Sequence, residues 1–395
     1  MREIPYGRQH ITEDDIRAVA DVLRSDFLTQ GPAVVEFEKK FGEYIGSPFN
    51  AAVSNGTAAL HLAVMALGLP PNKRVLTTPI TFAASANCVS FVGGEIELID
   101  IDPRTFIIDL NRVEDRVRKG DIGGIIPVDF AGLAVNMEDV REIADRHGCW
   151  VLEDACHAPG GFFIDSKEKQ VNCGSGVYED AAIFSFHPVK HIAAGEGGMV
   201  TSSNAELLGK VEKLRTHGIH KNADQFMNEG TMVGASPSNS DEYPAWYYEM
   251  DELGYNYRMT DIQSALALSQ LQKAESGITR RRALADRYIQ AFSDNPNVKV
   301  QSLNERERKG HAYHLFVIRA QNRLGLYTHL RSKGIFAQVH YIPLHYLPYY
   351  KHLGSKTDLS NAEVYYDHCL SLPMFPSLSD EEQEYVIESV NFFYP

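Results

Sequence analysis

Long apolar runs are missing from this chain of 395 residues. No stretch is long enough to cross a bilayer, and the charged start followed by "IPYG" holds no apolar leader core. A cytoplasmic protein without membrane contact is expected. Cysteine is scarce. The five are Cys88, Cys149, Cys156, Cys173 and Cys369, an odd number with no CxxC pair, which argues against a disulfide framework. Positive charge is in deficit, 38 Lys and Arg against 52 Asp and Glu, for a net charge of -14. That argues against nucleic acid and anionic membranes as partners. It leaves phosphorylated small ligands open, because local donors hold those. Nucleotide-binding signatures are absent as well. No GxxxxGK[ST] occurs, no GxGxxG opens the first helix, and "GEGG" at 195–198 precedes a strand. The histidine pairs His217/His220 and His187/His191 lack further ligands at zinc spacing. No metal is expected.

What is present is ordinary globular composition, 44% hydrophobic and 23% charged, enough for two or three domains and a large core. Thr12 caps a first helix whose Ile16, Val19, Ala20 and Leu23 share a face. After the Gly31-Pro32 turn a second helix is expected, from about Ala33 to Ile45. Then short apolar strands alternate with helices: "NAAVS", "RVLTTP", "EIELIDID", "IGGIIPVDFAG", "CWVLEDA", "AAIFSFHP" and "GGMVTSS" are strands. This rhythm predicts an α/β fold with a mostly parallel sheet covered on both faces. Residues 221–245 read as a polar loop. Thr260 caps one long predicted helix, reaching Phe292. Beyond Pro296 a smaller region holds a strand in "HAYHLFVIRA", a helix in "RLGLYTHLRSKG", a strand in "IFAQVHYIPLH" and a helix after Ser379. The expected division is 1–258 for the large domain with its N-terminal helices, and 259–395 for the linking helix and a small α+β domain.

Ligands of open α/β sheets gather at the carboxyl ends of strands. Polar residues there are Ser54 to Thr57, Thr77 to Thr81, Asp129, Asp154 to His157, and Ser185 to Lys190. "SNGTAAL" could seat a phosphate, with Gly56 allowing close approach and Thr57 adding a hydroxyl. It could also be a plain turn capped by Thr57, the commoner use of such a turn. Asp154 could face a cationic ring nitrogen, cap a helix or bind a metal, and His157 could be a core histidine. Lys190 stands between an apolar run and a glycine cluster. A lysine amine, an upstream acid and a phosphate seat are the three contacts that pyridoxal phosphate (PLP) needs. A free lysine is a poor nucleophile near neutrality, so the site must lower its basicity.

Several stretches resemble the DegT/DnrJ/EryC1 sugar-nucleotide aminotransferases, over essentially the whole chain: "FLTQGP", "SNGTAALHLA", "PITFAASAN", "EDACHA", "SFHPVKHIAAGEGG", "WYYEMDELGYNYRMTDIQSALALSQL" and "QVHYIPLH". The resemblance is strongest to the pseudaminic acid branch. It implies PLP fold type I, with a large α/β/α domain and a smaller C-terminal one. Lys190 is similar to the family's Schiff-base lysine, and Asp154 to the acid that keeps the pyridine nitrogen protonated. His157 matches the side chain at the cofactor's phenolate oxygen, and Phe82 the ring stacked on its face. Gly56, Thr57 and Ser185 match phosphate contacts. Asn256 matches an asparagine reaching the neighbouring subunit's phosphate, so a homodimer with shared sites is implied. Thr29, His187, His340 and Tyr341 match positions near the sugar nucleotide. The expected substrates are L-glutamate and a UDP-4-keto-6-deoxy-N-acetylhexosamine. Eliminating members of the family replace the lysine by histidine, which this chain does not. A non-catalytic relative would not need the full cofactor set.

Overall fold

The computed structural model describes residues 3–228, 243–354 and 357–394. A seven-stranded sheet carries the architecture. Its order is Phe49–Val53, Gly198–Ser202, Ala181–Ser185, Trp150–Asp154, Ile122–Ile126, Arg74–Thr77 and Glu95–Leu98. Gly198–Ser202 runs antiparallel to both neighbours, and every other pairing is parallel. The mostly parallel α/β sheet expected from the sequence is therefore the observed one.

Successive strand residues serve opposite faces. Leu152, Ile183 and Val200 pack under the helices Gly56–Leu67 and Ala205–Leu214. Phe184 and Met199 pack on the other face, against Phe37 and Phe41 of the helix Pro32–Ile45. Val151 shares that second face with the helices Leu110–Val117 and Met137–His147. Both faces are thus dry, which is why the strands read as near-continuous apolar runs.

The first helix, Glu13–Leu23, has the expected Thr12 cap. Its buried residue is Asp15, however, while Ile16 and Leu23 stay more than half exposed. Asp15 accepts hydrogen bonds from Ser269 Oγ (2.6 Å), Gln270 Nε2 (2.9 Å) and Lys273 Nζ (2.5 Å). This clamp explains a correction. The single helix expected up to Phe292 is two, Asp261–Leu271 and Ala274–Phe292. Gln270 and Lys273 are held on Asp15 at the break, and Ser276 Oγ donates to the Lys273 carbonyl (2.9 Å). No local breaker marks the spot.

The C-terminal region has its own antiparallel sheet, Val298–Val300, Phe316–Ala320 and Cys369–Leu372. Its core draws on Ala274–Phe292, Arg323–Ser332 and Asp380–Phe393, and it also takes in Ile4. The strand expected over "IFAQVHYIPLH" shrinks to Ile335–Phe336, which pairs in parallel with Ile4–Pro5. After it, Gln338 bridges to Ser371 and Tyr365 Oη donates to the His340 carbonyl (2.7 Å). That single bridge to the strand Cys369–Leu372 is not extended, and His340 and Tyr341 beyond it line the central cavity. Within the polar loop expected at 221–245, residues 229–242 lie outside the described residues. Its flanks converge: Ile219–His220 pairs with Glu249–Met250, and Glu249 accepts from the Met227 and Asn228 amides (2.6 and 2.9 Å). Among the described residues no helix is long and apolar enough to cross a membrane.

Candidate active site

A cavity of about 620 Å³ opens at the carboxyl ends of the central strands. At one end lies the start of the helix Gly56–Leu67. Its cap is Asn55, whose side chain accepts from the Ala58 amide (2.8 Å), not Thr57. The cap leaves the Gly56 and Thr57 N–H groups without intrahelical partners, at the positive end of the helix dipole. Gly56 is required sterically, since a Cβ there would sit 2.9 Å from Ser185 Cβ. Gly56, Thr57 and Ser185 thus form one compact donor cradle lining the cavity.

Lys190 approaches from a closed loop. Phe186 leaves the strand Ala181–Ser185 and is fixed between Phe37 and Phe41, its ring centroid 5.0 and 5.3 Å from theirs. Its N–H donates to the Gly197 carbonyl, its carbonyl accepts from Ala194, and the Lys190 amide bonds the His187 carbonyl, all at 2.8 Å. Burial holds the Lys190 amine below the ordinary lysine range, partly offset by Cys156 and Asp154 beside it. This is the lowered basicity that the chemistry requires.

Asp154 ends its strand at the floor of the cavity, almost fully buried. Oδ2 accepts from Ser85 Oγ (2.7 Å) and Oδ1 from the Cys156 amide (3.3 Å). His157 is buried nearby. Its Nδ1 accepts from the Ala131 amide (3.3 Å), which assigns the ring proton to Nε2, 3.2 Å from Tyr341 Oη. Burial and the charge of Lys190 keep His157 neutral. His340 is pushed down to about 4 by burial and by Lys190, and its Nδ1 meets Ser371 Oγ at 2.9 Å. Phe82 stands exposed at the mouth, 6.3 Å from the Tyr341 ring.

The cavity therefore brings together Gly56, Thr57, Phe82, Asp154, His157, Ser185, His187, Lys190, His340 and Tyr341. It does not include Thr29 or Asn256. Thr29 bridges to Thr260 and Asn256 to Thr216, both at exposed positions of this single chain. Asp129 also lies outside it. That carboxyl is wholly buried and, with Glu153 and Cys173, brings ligand-type atoms within 4.8 Å of one another. Sequence reasoning missed Tyr6, Ser85, Tyr257 and His314 as lining residues. Thr81, at the end of the strand-end stretch Thr77 to Thr81, lines the cavity as the sequence suggested.

The cavity fits PLP on its own geometry: a donor cradle closed to any Cβ, a buried amine, and a buried carboxylate with donors on both oxygens. The sequence matches the DegT/DnrJ/EryC1/StrS aminotransferase family over residues 9–391. It is 36% identical to the spore coat polysaccharide biosynthesis protein SpsC of Bacillus subtilis, covering 98% of this chain and 96% of that one. It is 35% identical, with the same coverage, to a UDP-4-amino-4,6-dideoxy-N-acetyl-beta-L-altrosamine transaminase of Campylobacter jejuni. Its fold superposes on Helicobacter pylori PseC, an aminotransferase of pseudoaminic acid biosynthesis, with a TM-score of 0.86 at 29% identity over 100% of this chain and 99% of that one. Structural neighbours are known in PLP and PMP forms.

Proposed function

From its membership of the DegT/DnrJ/EryC1/StrS family, to which this chain belongs as a PLP-dependent sugar aminotransferase, we propose that it moves the amino group of L-glutamate to C4 of a UDP-4-keto-6-deoxy-N-acetylhexosamine. The product would be a UDP-4-amino-4,6-dideoxy sugar for pseudaminic acid biosynthesis. The observation that carries the site is the convergence of Lys190, Asp154 and the Gly56–Thr57–Ser185 cradle in one cavity. The likeness to the Campylobacter and Helicobacter proteins supports the sugar.

Gly56, Thr57 and Ser185 hold the phosphate, and Asp154 pairs with the pyridine nitrogen. When bound, PLP supplies an electron sink for the carbon that exchanges its amine. Lys190 would hold it through Nζ, and the same amine would take and return protons, including the one at C4 of the sugar. Its depressed basicity makes the neutral amine available near neutral pH. His157 offers Nε2–H toward the cofactor's hydroxyl side, and Phe82 covers the ring. His187, His340 and Tyr341 line the sugar side, and Thr29 is assigned to it by the family resemblance alone. Asn256 reaches the phosphate of a second copy, in a homodimer of the cytoplasm. The proposed division at 258/259 is a functional one: Lys190 and the cradle lie before it, His340 and Tyr341 after it.

The test is product analysis. Given PLP and L-glutamate, the protein should aminate C4 of UDP-2-acetamido-2,6-dideoxy-L-arabino-4-hexulose and release 2-oxoglutarate, as read by mass spectrometry and NMR. The D-xylo epimer should react more slowly, because the change at C5 alters the face presented to Lys190. Preference for that epimer or for a dTDP sugar would overturn the pathway. Sedimentation at micromolar concentration should show a dimer. Asn256→Ala should loosen the cofactor by about 1.5–3 kcal/mol, the worth of one hydrogen bond to a charged group. A stable, active monomer would remove the shared-site reading.

A further inference from the structure

Ser85 and Thr81 carry no role in the reading above, yet their hydroxyls are wired to Asp154. Both side chains are buried, at 1% and 3% exposure. Ser85 Oγ lies 2.7 Å from Asp154 Oδ2, and Thr81 Oγ1 lies 2.8 Å from Ser85 Oγ. The directions follow from the inventory of donors. A carboxylate only accepts, so Ser85 gives its single proton to Asp154. Thr81 must then give its own proton to Ser85. The chain of donation runs one way, Thr81 to Ser85 to Asp154, and each link polarises the next.

Asp154 needs such a support. Its strand ends at that residue, and its other oxygen is held only by the longer bond from the Cys156 amide. A carboxylate free to rotate about its last torsion would lose the alignment that an ion pair with a ring nitrogen requires. Thr81 and Ser85 come from the segment just after the strand Arg74–Thr77, two places along the sheet from Trp150–Asp154, so the relay also ties two strand ends together.

We infer that Ser85 and Thr81 are positioning residues that orient the Asp154 carboxylate toward the pyridine nitrogen of the cofactor. This rests on the assignment of Asp154 as that nitrogen's partner. The experiment measures PLP dissociation constants by fluorescence and the visible circular dichroism of the holoenzyme, with Asp154→Asn as the control. Ser85→Ala should weaken PLP binding roughly tenfold or more, as expected for a lost bond to a charged group, and should reduce the dichroic band. Ser85→Thr should restore both, since it returns the hydroxyl. Thr81→Val should act in the same direction but less. The double variant Ser85→Ala/Thr81→Val should match Ser85→Ala alone, because Thr81 acts only through Ser85. Wild-type PLP affinity and dichroism in Ser85→Ala, failure of Ser85→Thr to restore them, or full additivity of the pair would overturn the relay. If Asp154→Asn itself keeps wild-type affinity and dichroism, the assignment of Asp154 falls, and the relay falls with it.

Discussion

Glu153 and Asp154 are neighbours on one strand and live in opposite chemistries. Their side chains leave the sheet on opposite faces. Asp154 enters the cavity and meets only donors: Ser85 Oγ on one oxygen, the Cys156 amide on the other. Glu153 is buried behind the sheet. One of its oxygens accepts from the Gly174 amide (2.7 Å), and the other faces the equally buried carboxyl of Asp129. Two carboxyls in one dry pocket cannot both be charged, so the pair holds a proton. Two acids written side by side thus divide into a charge partner facing the ligand and a member of a proton-sharing structural pair. The donors each face supplies decide which is which, not the residue type.

The largest effect tests the premise of that contrast, the amine opposite Asp154. Lys190→Ala should abolish turnover and the cofactor's visible absorbance band, because covalent attachment and proton transfer need the same nitrogen. Multiple turnover near the wild-type rate would refute the assignment.

The next effect separates the two acids. Asp154→Asn keeps the shape but removes the charge partner, and the rate should fall roughly 10²-fold or more, about 3 kcal/mol of barrier. Glu153→Gln should leave the rate close to wild type, since Glu153 faces away from the cavity. Steady-state rates of the two variants decide it. The reverse ranking would exchange the roles of the two residues.

Much of this was readable in advance. Strand ends, the glycine turn at Gly56 and the position of Lys190 were visible because parallel sheets collect their ligands at carboxyl ends and mark them with polar residues after apolar runs. What stayed hidden depends on distant partners. Tyr6 reaches the cavity only because Ile4–Pro5 pairs with Ile335–Phe336. The break between Leu271 and Ala274 has no glycine or proline, and is held by the remote Asp15. Ser85 reads as an ordinary small residue of a short helix until Asp154 is placed beside it. Thr57 was a reasonable cap on composition, but Asn55, one position before the helix, has the reach to the Ala58 amide.

The smallest effect concerns the proton-sharing pair and reads stability rather than rate. Burial, above all, pushes Asp129 up to about 7, and Glu153 is raised as well. An unfolded carboxyl titrates near ~4. Between those values the folded chain holds a proton that the unfolded chain has lost. Stability from this pair is therefore complete below ~4 and is lost as the pH rises toward about 7. The buried neutral histidines His157, His191 and His314, whose basicity is lowered, push the other way. The whole-protein curve hides the pair, and the difference between two proteins exposes it. Asp129→Asn keeps an acceptor for the Val135 amide, which Asp129 Oδ1 now serves at 2.9 Å, and gives Glu153 an amide donor. Thermal unfolding of wild type and variant from pH 5 to 8 should show the variant gaining on the wild type as the pH rises, with activity little changed. A difference that stays flat across that range would mean that Asp129 and Glu153 hold no shared proton, and the contrast between the two faces of the strand would lose its electrostatic basis.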